Sequence, residues 1–154
     1  MSPNTTAERE AGVARLRAAG LKVTESRLAV LDTFSPGEHL DADDVYTRVA
    51  VVLPTTSRQA VYGVLGALAE VDLLRKIEPA GSPALYETRV GDNHHHLVCT
   101  GCSTVIDVGC VVGEAACLTP SETHGFRIAT AEVTFWGLCP DCSANAEPSR
   151  AGLS

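Results

Sequence analysis

The chain has few aromatic residues and no long apolar segment. One Trp, three Tyr and three Phe together make up 5% of its 154 residues. Large side chains are therefore scarce, and a metal site or an oligomer interface would supplement the hydrophobic core. No apolar run approaches the roughly 20 residues that span a bilayer, and no basic segment followed by an apolar stretch opens the chain. We therefore expect a cytoplasmic protein without a membrane partner.

Positive charge is also scarce, and it is unevenly distributed. The chain has 12 basic and 19 acidic residues, which gives a net charge of −7. Residues 1–78 contain nine of the Lys and Arg residues and 11 acidic residues, whereas residues 79–154 contain three and eight. A surface that contacts phosphate is therefore predicted in the first half, and a bound cation in the second.

The first half predicts a winged helix-turn-helix domain. Capping-box spacing, apolar residues at helical intervals and Gly or Pro breakers predict four helices. These are residues 5–19 with a capping box at Thr5 and Glu8, residues 25–34, residues 41–53 with an Asp41 cap, and residues 56–71 with a capping box at Thr56 and Gln59. Two strand-like runs, residues 74–78 and 84–88, then flank a turn rich in Pro and Gly.

The second half is predicted to be a smaller mixed domain. A linker-like segment is followed by strand-like runs at residues 95–100, 104–108 and 128–136, with a short helix at 110–118. Small polar residues after 142 predict disorder. The predicted organisation is α+β, with a winged-helix DNA-binding domain at residues 1–89, a hinge at 90–93, a small α/β domain at 94–142 and a disordered tail at 143–154.

Four of the six cysteines form two Cys-x-x-Cys pairs, Cys99 with Cys102 and Cys139 with Cys142. In a chain without an export signal, such pairs indicate a metal more often than disulfides. Four thiolates form a closed site for structural zinc, which leaves no coordination position for hydrolysis. The alternatives are a redox dithiol or two separate buried pairs. Cys110 and Cys117 lack this spacing and are expected to be small buried apolar residues.

Three consecutive histidines precede the first cysteine pair. On a strand, alternation places His94 and His96 on one face and His95 on the other. A His-x-His pair beside another metal site favours ligation over a structural role. Further ligand atoms are available in three other side chains, His39, Glu87 and Asp107. Glu87 and Asp107 could equally be solvated charges on strands and His39 an ordinary loop residue, and spacing alone does not select between the two roles.

Several motifs in this order resemble the ferric uptake regulator (Fur) family. They are HLDADDVY at residues 39–46, YE at 86–87, HHHLVC at 94–99, VID at 105–107 and the two cysteine pairs. The segments LRAAGLKVTESR at 16–27 and AVY at 60–62 also fit, so the resemblance covers residues 16–142. It implies an N-terminal winged helix, a hinge and a C-terminal dimerisation domain, and hence a metal-dependent transcriptional repressor.

The resemblance also implies a second, regulatory metal site. Its ligands, carried over by position, are His39, Glu87, His94, His96 and Asp107. Imidazoles with carboxylates favour iron(II) or manganese(II), whereas zinc prefers the thiolates. Because His39 belongs to the DNA-binding half, a bound ion would orient that half and act as a corepressor.

By the same resemblance, the protein is expected to bind double-stranded operator DNA as a homodimer, with the fourth helix of each copy in the major groove. The candidate DNA contacts are Arg58, Gln59, Tyr62, Lys22 and Arg27. The first three lie on the fourth helix, and the last two would contact phosphates. Core packing is the alternative role of the tyrosine. Glycine at position 63 replaces a basic residue that is frequent in the family, so one family contact is missing here.

Asp107 indicates which signal is sensed. An aspartate at this position resembles the peroxide-responsive branch of the family, in which peroxide leads to oxidation of histidine ligands. The candidates for oxidation here are His39 and His94. The expected function is therefore peroxide-responsive repression of genes such as catalases. Glu87 instead resembles the iron-uptake repressors, so iron-responsive control of iron uptake is the alternative.

A third metal site of the family would use His95 and Glu114, but Ala131 occupies the position of its late histidine, so we expect no third site. Two histidines and a carboxylate are also found in two classes of enzyme, the non-haem iron oxygenases and the zinc hydrolases. Neither enzyme would explain the winged helix, so no enzymatic activity is expected. A zinc-ribbon interaction module without DNA binding is a further alternative.

Overall fold

The computed structural model of the chain describes residues 5–88, 94–109, 121–128 and 133–146. The chain divides into two compact units, Met1–Asp92 and Asn93–Ser154. The segment predicted as a hinge, residues 90–93, lies outside the described residues, and the division falls there. Outside the described residues lie the predicted helix at 110–118 with Cys110, Glu114 and Cys117, as well as Ala131 and residues 147–154.

Four helices form most of the first unit: α1 at Thr6–Ala18, α2 at Glu25–Asp32, α3 at Ala42–Val52 and α4 at Arg58–Glu70. Local hydrogen bonds explain where α1 and α3 begin. The predicted capping box of α1 is confirmed, because the Thr5 hydroxyl accepts the Glu8 N–H at 3.4 Å and the Glu8 carboxylate accepts the Thr5 N–H at 2.7 Å. The predicted cap of α3 is also confirmed, because the Asp41 carboxylate accepts the Asp44 N–H at 2.8 Å.

Two helix boundaries differ from the prediction. Ser57 caps α4 instead of Thr56, because the Ser57 hydroxyl accepts the Ala60 N–H at 3.1 Å. Serine and threonine are both frequent N-caps, so residue type alone could not separate these neighbours. α2 ends before residue 34, because the N–H of Thr33 donates to the Val30 carbonyl at 3.1 Å and tightens the last turn.

The first unit contains a hydrophobic core of leucine and valine side chains. α4 contributes Val61, Leu65 and Leu68 at helical spacing, and all three are at most 1% exposed. α1 approaches α2 closely at Gly12, where an added Cβ would lie 3.2 Å from the Leu28 Cδ2 atom. Interiors packed this closely relax only partly when a side chain is shortened.

A three-stranded antiparallel sheet completes the first unit. Its strands are β1 at Leu40–Asp41, β2 at Arg75–Ile77 and β3 at Leu85–Glu87, in the order β1-β3-β2. β2 and β3 confirm the predicted hairpin. β1 was not predicted, because two residues are too few to show an alternation of apolar and polar side chains.

The described part of the second unit contains another three-stranded sheet. Its strands are β4 at His94–Cys99, β5 at Val105–Gly109 and β6 at Thr134–Gly137, in the order β5-β4-β6. β5 is antiparallel to β4 and β6 is parallel to it. β6 begins at Thr134 and extends one residue past the predicted end at Trp136, while residues 129–132 of the run predicted at 128–136 lie outside the described residues.

A short helix, α5 at Pro140–Asn145, follows β6. The Cys139 side chain accepts the Cys142 N–H and caps this helix, and Pro140 lies in the first turn, where no intrahelical partner for its nitrogen is needed. The prediction of a disordered tail from residue 143 is therefore wrong for residues 143–145, which are helical. Within the described ranges, every helix is too short or too polar to cross a membrane.

One face of the second sheet exposes a row of apolar side chains. Leu97 of β4 pairs with Ile106 of β5 and with Phe135 of β6. These three residues, named here the apolar row, are 42%, 51% and 44% exposed. Contiguous exposed apolar surface is typical of an interaction site.

Candidate metal centres and nucleic-acid interface

The four predicted zinc ligands form one cluster in the second unit. Cys99 ends β4, Cys102 follows in a turn, Cys139 caps α5 and Cys142 lies within α5. Their sulfur atoms all lie within 4.8 Å of one another. The alternative of two separate buried pairs is therefore wrong.

The spacing of the sulfur atoms fits zinc. A tetrahedral site with Zn–S bonds of about 2.3 Å has sulfur atoms about 3.8 Å apart. The Sγ atoms of Cys102 and Cys139 are 3.8 Å apart. Four soft sulfur donors at this separation suit zinc, whereas iron(II) and manganese(II) suit a site that is rich in oxygen donors.

A tight turn brings Cys99 and Cys102 to the same side. The Ser103 N–H donates to the Cys99 carbonyl at 2.9 Å, and Ser103 has a φ of 63°. Gly101 leaves room for the other cysteine pair, because a Cβ at this position would lie 2.9 Å from Cys142 Sγ. The turn can approach α5 this closely because residue 101 has no side chain.

Backbone N–H groups surround the Cys99 sulfur. The N–H groups of Cys139, Gly101 and Cys102 donate to it at 3.3, 3.4 and 3.5 Å. The Cys139 N–H, followed by the Cys102 N–H, lowers the pKa of Cys99 to about 6 because these donors stabilise the thiolate. The Thr104 hydroxyl lies 3.0 Å from the Cys102 sulfur and lowers the pKa of Cys102 in the same way.

The crowding of four sulfur atoms has the opposite effect on Cys142. Its pKa is raised to about 12, first by its hydrogen bond with Cys139 and then by those with Cys99 and Cys102. Thiolates this close repel one another, so full ionisation of the cluster requires a cation. The donor set and its electrostatics therefore both fit a bound metal ion.

His39 and Glu87 contact each other in the first unit. His39 precedes β1 and Glu87 ends β3, and the pairing of these strands brings the side chains together. His39 Nε2 lies 2.8 Å from Glu87 Oε2, and the side chains are 3% and 1% exposed. These residues are named here the first-unit pair. The alternative of a solvated strand charge is therefore wrong for Glu87, whereas His39 does lie in a loop, with its side chain buried.

Arg75 lies beside this pair and was missed from the sequence. It is opposite Glu87 in the β2–β3 register, and its Nε atom is 4.0 Å from Glu87 Oε1. A guanidinium in this position stabilises negative charge on the carboxylate. The predicted hairpin could have indicated Arg75, because the register of two paired strands determines which residues lie opposite each other.

His94, His96 and Asp107 form a second group of nitrogen and oxygen donors. Asp107 of β5 pairs with His96 of β4, and its Oδ1 atom lies 3.2 Å from His96 Nε2 and 3.5 Å from His94 Nε2. The predicted alternation is confirmed, since His95 packs instead against Phe135, with ring centroids 6.0 Å apart. His94, His96 and Asp107 are named here the second-unit triad.

A bidentate ion pair anchors the loop that carries His39. Arg48 of α3 donates to the two Glu38 carboxylate oxygens at 2.7 and 2.9 Å, and to the Thr33 carbonyl at 3.3 Å. The hydrogen bonds from Arg48 lower the pKa of Glu38 and keep it ionised at neutral pH. This pair was missed because no local periodicity relates a loop residue to a residue in the next helix.

The predicted DNA contacts lie in the first unit. Arg58, Gln59 and Tyr62 are exposed on α4. Tyr62 is 44% exposed, so its alternative role in the core is wrong. Arg27 of α2 donates to the Lys22 carbonyl at 2.7 Å, which brings these two basic residues together.

Asp43 of α3 contacts two of these candidates and was also missed. The Tyr62 hydroxyl donates to Asp43 Oδ1 at 2.6 Å, and Arg58 Nη1 donates to the same oxygen. The hydrogen bond to Asp43 raises the pKa of Tyr62 and keeps its hydroxyl protonated. The packing of α3 against α4 creates this contact, so sequence spacing gave no signal for it.

Comparison with known proteins agrees with this architecture. The model of the "Ferric uptake regulator family" matches residues 18–136. "Transcriptional regulator FurA" of Mycobacterium tuberculosis is 54% identical over 129 residues, which cover 84% of this chain and 88% of that protein. The solved ferric uptake regulator Fur of Helicobacter pylori has the same fold, with a TM-score of 0.72 at 22% identity over 93% of this chain and 97% of that one. The ferric uptake regulator of Francisella tularensis, solved with iron, has a TM-score of 0.69 at 25% identity over 80% and 96%.

The winged helix followed by a unit rich in metal ligands defines a metal-dependent transcriptional regulator. The chain belongs to the ferric uptake regulator family. Members of this family bind operator DNA and act as dimers, and they are not enzymes. The oxygenase and hydrolase alternatives are therefore wrong, and the predicted fold and regulatory class are confirmed.

Proposed function

We propose that the chain is a homodimeric repressor in which zinc stabilises the second unit and iron(II) or manganese(II) controls DNA binding. The observation that carries this proposal is the segregation of donor types. Four sulfur atoms form one cluster, whereas imidazoles and carboxylates form the first-unit pair and the second-unit triad. Thiolates favour zinc, and nitrogen with oxygen donors suits iron(II) or manganese(II). The Francisella relative, which was solved with iron, supports the second assignment.

One regulatory ion held jointly by the first-unit pair and the second-unit triad would couple metal to DNA binding. The pair belongs to the unit that carries α4, and the triad belongs to the other unit. Ligation by both groups restricts the relative orientations that the units adopt. A larger fraction of the protein is then competent to bind DNA, and the metal acts as a corepressor.

The apolar row provides a surface for homodimerisation. A two-fold axis pairs the same surface of two copies, so one exposed apolar face is sufficient. Aromatic and aliphatic side chains such as Phe135 and Leu97 are typical of the buried centre of an interface. In such a dimer, the two α4 helices would enter successive major grooves of an operator.

Metal stoichiometry together with DNA affinity tests this assignment. We expect one zinc and one manganese(II) per chain, and tighter binding of an operator selected from random duplexes when manganese(II) is present. His96→Ala should abolish tight manganese(II) binding and the metal-dependent gain in DNA affinity, but should retain zinc. The control is His124→Ala, which removes an imidazole that is 76% exposed. Two manganese(II) ions per chain would contradict joint ligation, and metal-independent DNA binding would contradict corepression.

We further propose peroxide as the signal, with His39 and His94 as the side chains that gain oxygen. Asp107 supports this choice by the family resemblance, and one of its oxygens contacts both histidines of the second-unit triad. In this proposal, the O–O bond of peroxide breaks, one oxygen is inserted into a C–H bond of the imidazole ring and the other leaves as water. The oxidised ring would bind the metal less well, and DNA binding would weaken. Iron availability is the second candidate signal, which Glu87 and the names of the relatives favour.

Mass spectrometry of the iron(II)-loaded protein after peroxide treatment distinguishes these signals. Peroxide sensing predicts added oxygen on His39 or His94 and a loss of operator affinity. The manganese(II)-loaded protein is the control and should remain unmodified. Unmodified histidines with unchanged operator affinity would exclude the peroxide proposal and leave iron availability as the signal.

A further inference from the structure

Arg58 at the start of α4 is held on two sides by α3. Its Nη1 atom donates to Asp43, and the guanidinium carbon lies 4.7 Å from the centroid of the Tyr46 ring. The Tyr62 hydroxyl donates to the same Asp43 oxygen. The side chains of Arg58 and Asp43 are 58% and 64% exposed, so the restrained guanidinium lies on the surface.

These contacts restrict an arginine that would otherwise sample many rotamers. A free arginine loses this conformational entropy when it binds a ligand, and a restrained arginine loses less. The Asp43 carboxylate accepts a hydrogen bond from Nη1, and the Tyr46 ring covers one face of the guanidinium. The edge formed by Nε and Nη2 can still donate two parallel hydrogen bonds, which match O6 and N7 of guanine in the major groove.

We propose that Asp43 and Tyr46 are positioning residues that hold Arg58 in the orientation in which it recognises a guanine of the operator. This inference rests on the proposed DNA-binding role of α4. Asp43 would increase discrimination between DNA sequences, yet its negative charge would repel phosphate and weaken binding to DNA of any sequence. A residue that only stabilised α3 would not change sequence preference.

Selection from a pool of randomised duplexes tests the inference and identifies the operator sequence in the same experiment. The full-length protein, loaded with zinc and manganese(II), enriches its preferred sequences. Affinities are then measured for the enriched duplex, for versions with each guanine replaced, and for a random-sequence duplex. The variants are Asp43→Asn and Arg58→Lys. The matched control is Asp44→Asn, which removes one charge from the same first turn of α3.

In the wild type, replacement of one guanine should weaken binding by roughly tenfold or more, as expected for a bidentate arginine contact. Asp43→Asn should reduce this discrimination by about three- to tenfold, because a neutral amide oxygen holds the guanidinium more weakly than a carboxylate and the arginine regains rotamers. It should also strengthen binding to the random-sequence duplex, because one negative charge is removed. Arg58→Lys should remove the discrimination at the same position, since lysine cannot form the bidentate contact. Asp44→Asn should strengthen binding to random DNA but preserve the guanine preference.

Equal guanine preference in Asp43→Asn and Asp44→Asn would overturn the positioning role and leave the proposed DNA-binding function intact. Tyr46→Leu gives a second variant that keeps the charge and removes the ring, and it should also reduce the discrimination. Failure of the wild type to enrich any sequence would overturn both the inference and the proposed function.

Discussion

The two units of the chain differ in what holds them together. The first unit buries leucine and valine side chains from four helices, and Leu16, Leu65 and Leu68 are each 0% exposed. In the described part of the second unit, the buried apolar residues are Val98 and Cys99, while the apolar row is exposed. Because the described part of this unit buries few apolar side chains, we expect a metal ion or a second copy to add to its stability.

This difference separates two tasks. The helices of the first unit, α4 included, should stay folded whether or not a metal is bound, because apolar packing maintains them. The second unit is expected to depend on its cysteine cluster and on dimerisation. The same perturbation should therefore affect the two units differently, and four predictions test this comparison.

Removal of the zinc that we propose at the cysteine cluster should have the largest effect. Structural zinc contributes about 10–16 kcal/mol of binding free energy in zinc-finger peptides. Chelation, or the substitution Cys99→Ser, should unfold the second unit and leave the helices of the first unit folded. Trp136 is the single tryptophan and lies in the second unit, so its fluorescence reports that unit, while far-ultraviolet circular dichroism reports mainly the helices. Re-addition of zinc to the chelated wild type is the control. Unchanged Trp136 fluorescence after zinc removal would show that the second unit, like the first, stays folded without a metal.

The same leucine-to-alanine substitution should have different consequences in the two units. Leu65→Ala removes a fully buried side chain and should destabilise the first unit by about 2–5 kcal/mol in urea unfolding. Leu97→Ala shortens a side chain that is 42% exposed, and it should cost less than about 1 kcal/mol of unit stability but weaken the dimer in sedimentation experiments. An equally large loss of stability in Leu97→Ala would show that the apolar row belongs to a core.

Gly101→Ala should weaken zinc binding within an otherwise folded second unit. The added Cβ would lie 2.9 Å from Cys142 Sγ. Overpacking typically costs about 1–3 kcal/mol, which corresponds to roughly 5- to 150-fold weaker binding. Competition with a chromogenic zinc chelator measures the affinity. Gly109→Ala is the matched control, because nothing lies within 4 Å of its added Cβ. Equal affinities of both variants would mean that the turn relaxes without cost.

Glu38→Gln should have the smallest effect on the stability of the first unit, and this effect should fade as the pH becomes acidic. The pKa of Glu38 is lowered in the folded protein, first by its hydrogen bonds with Arg48. A lowered pKa adds stability at pH values above the unfolded pKa, and this stability is lost as the pH falls through the folded pKa. The variant should therefore destabilise the first unit by about 0.5–1 kcal/mol near neutral pH and progressively less in acid. Urea unfolding across this pH range measures the difference, with exposed Glu10→Gln as the control. A pH-independent difference would assign the effect to packing.

Local sequence patterns predicted most of the helices and the site chemistry. The capping box at Thr5 and Glu8, the Asp41 cap and the hairpin depend on residues a few positions apart. The two Cys-x-x-Cys pairs likewise carry their chemistry in their spacing. The choice of His39, Glu87 and Asp107 came from the family resemblance, because each residue alone also fits a role without a metal.

By itself, the sequence determined the winged-helix pattern, the thiolate set and the alternation of His94, His95 and His96. These features depend on side-chain type and on repeats of two to four residues. Only the tertiary structure decided that β1 would join His39 to Glu87, that Gly101 would face Cys142, and that Asp43 would hold Arg58. Contacts between separate elements follow from how helices and strands pack, and a single sequence does not encode those distances in any local pattern.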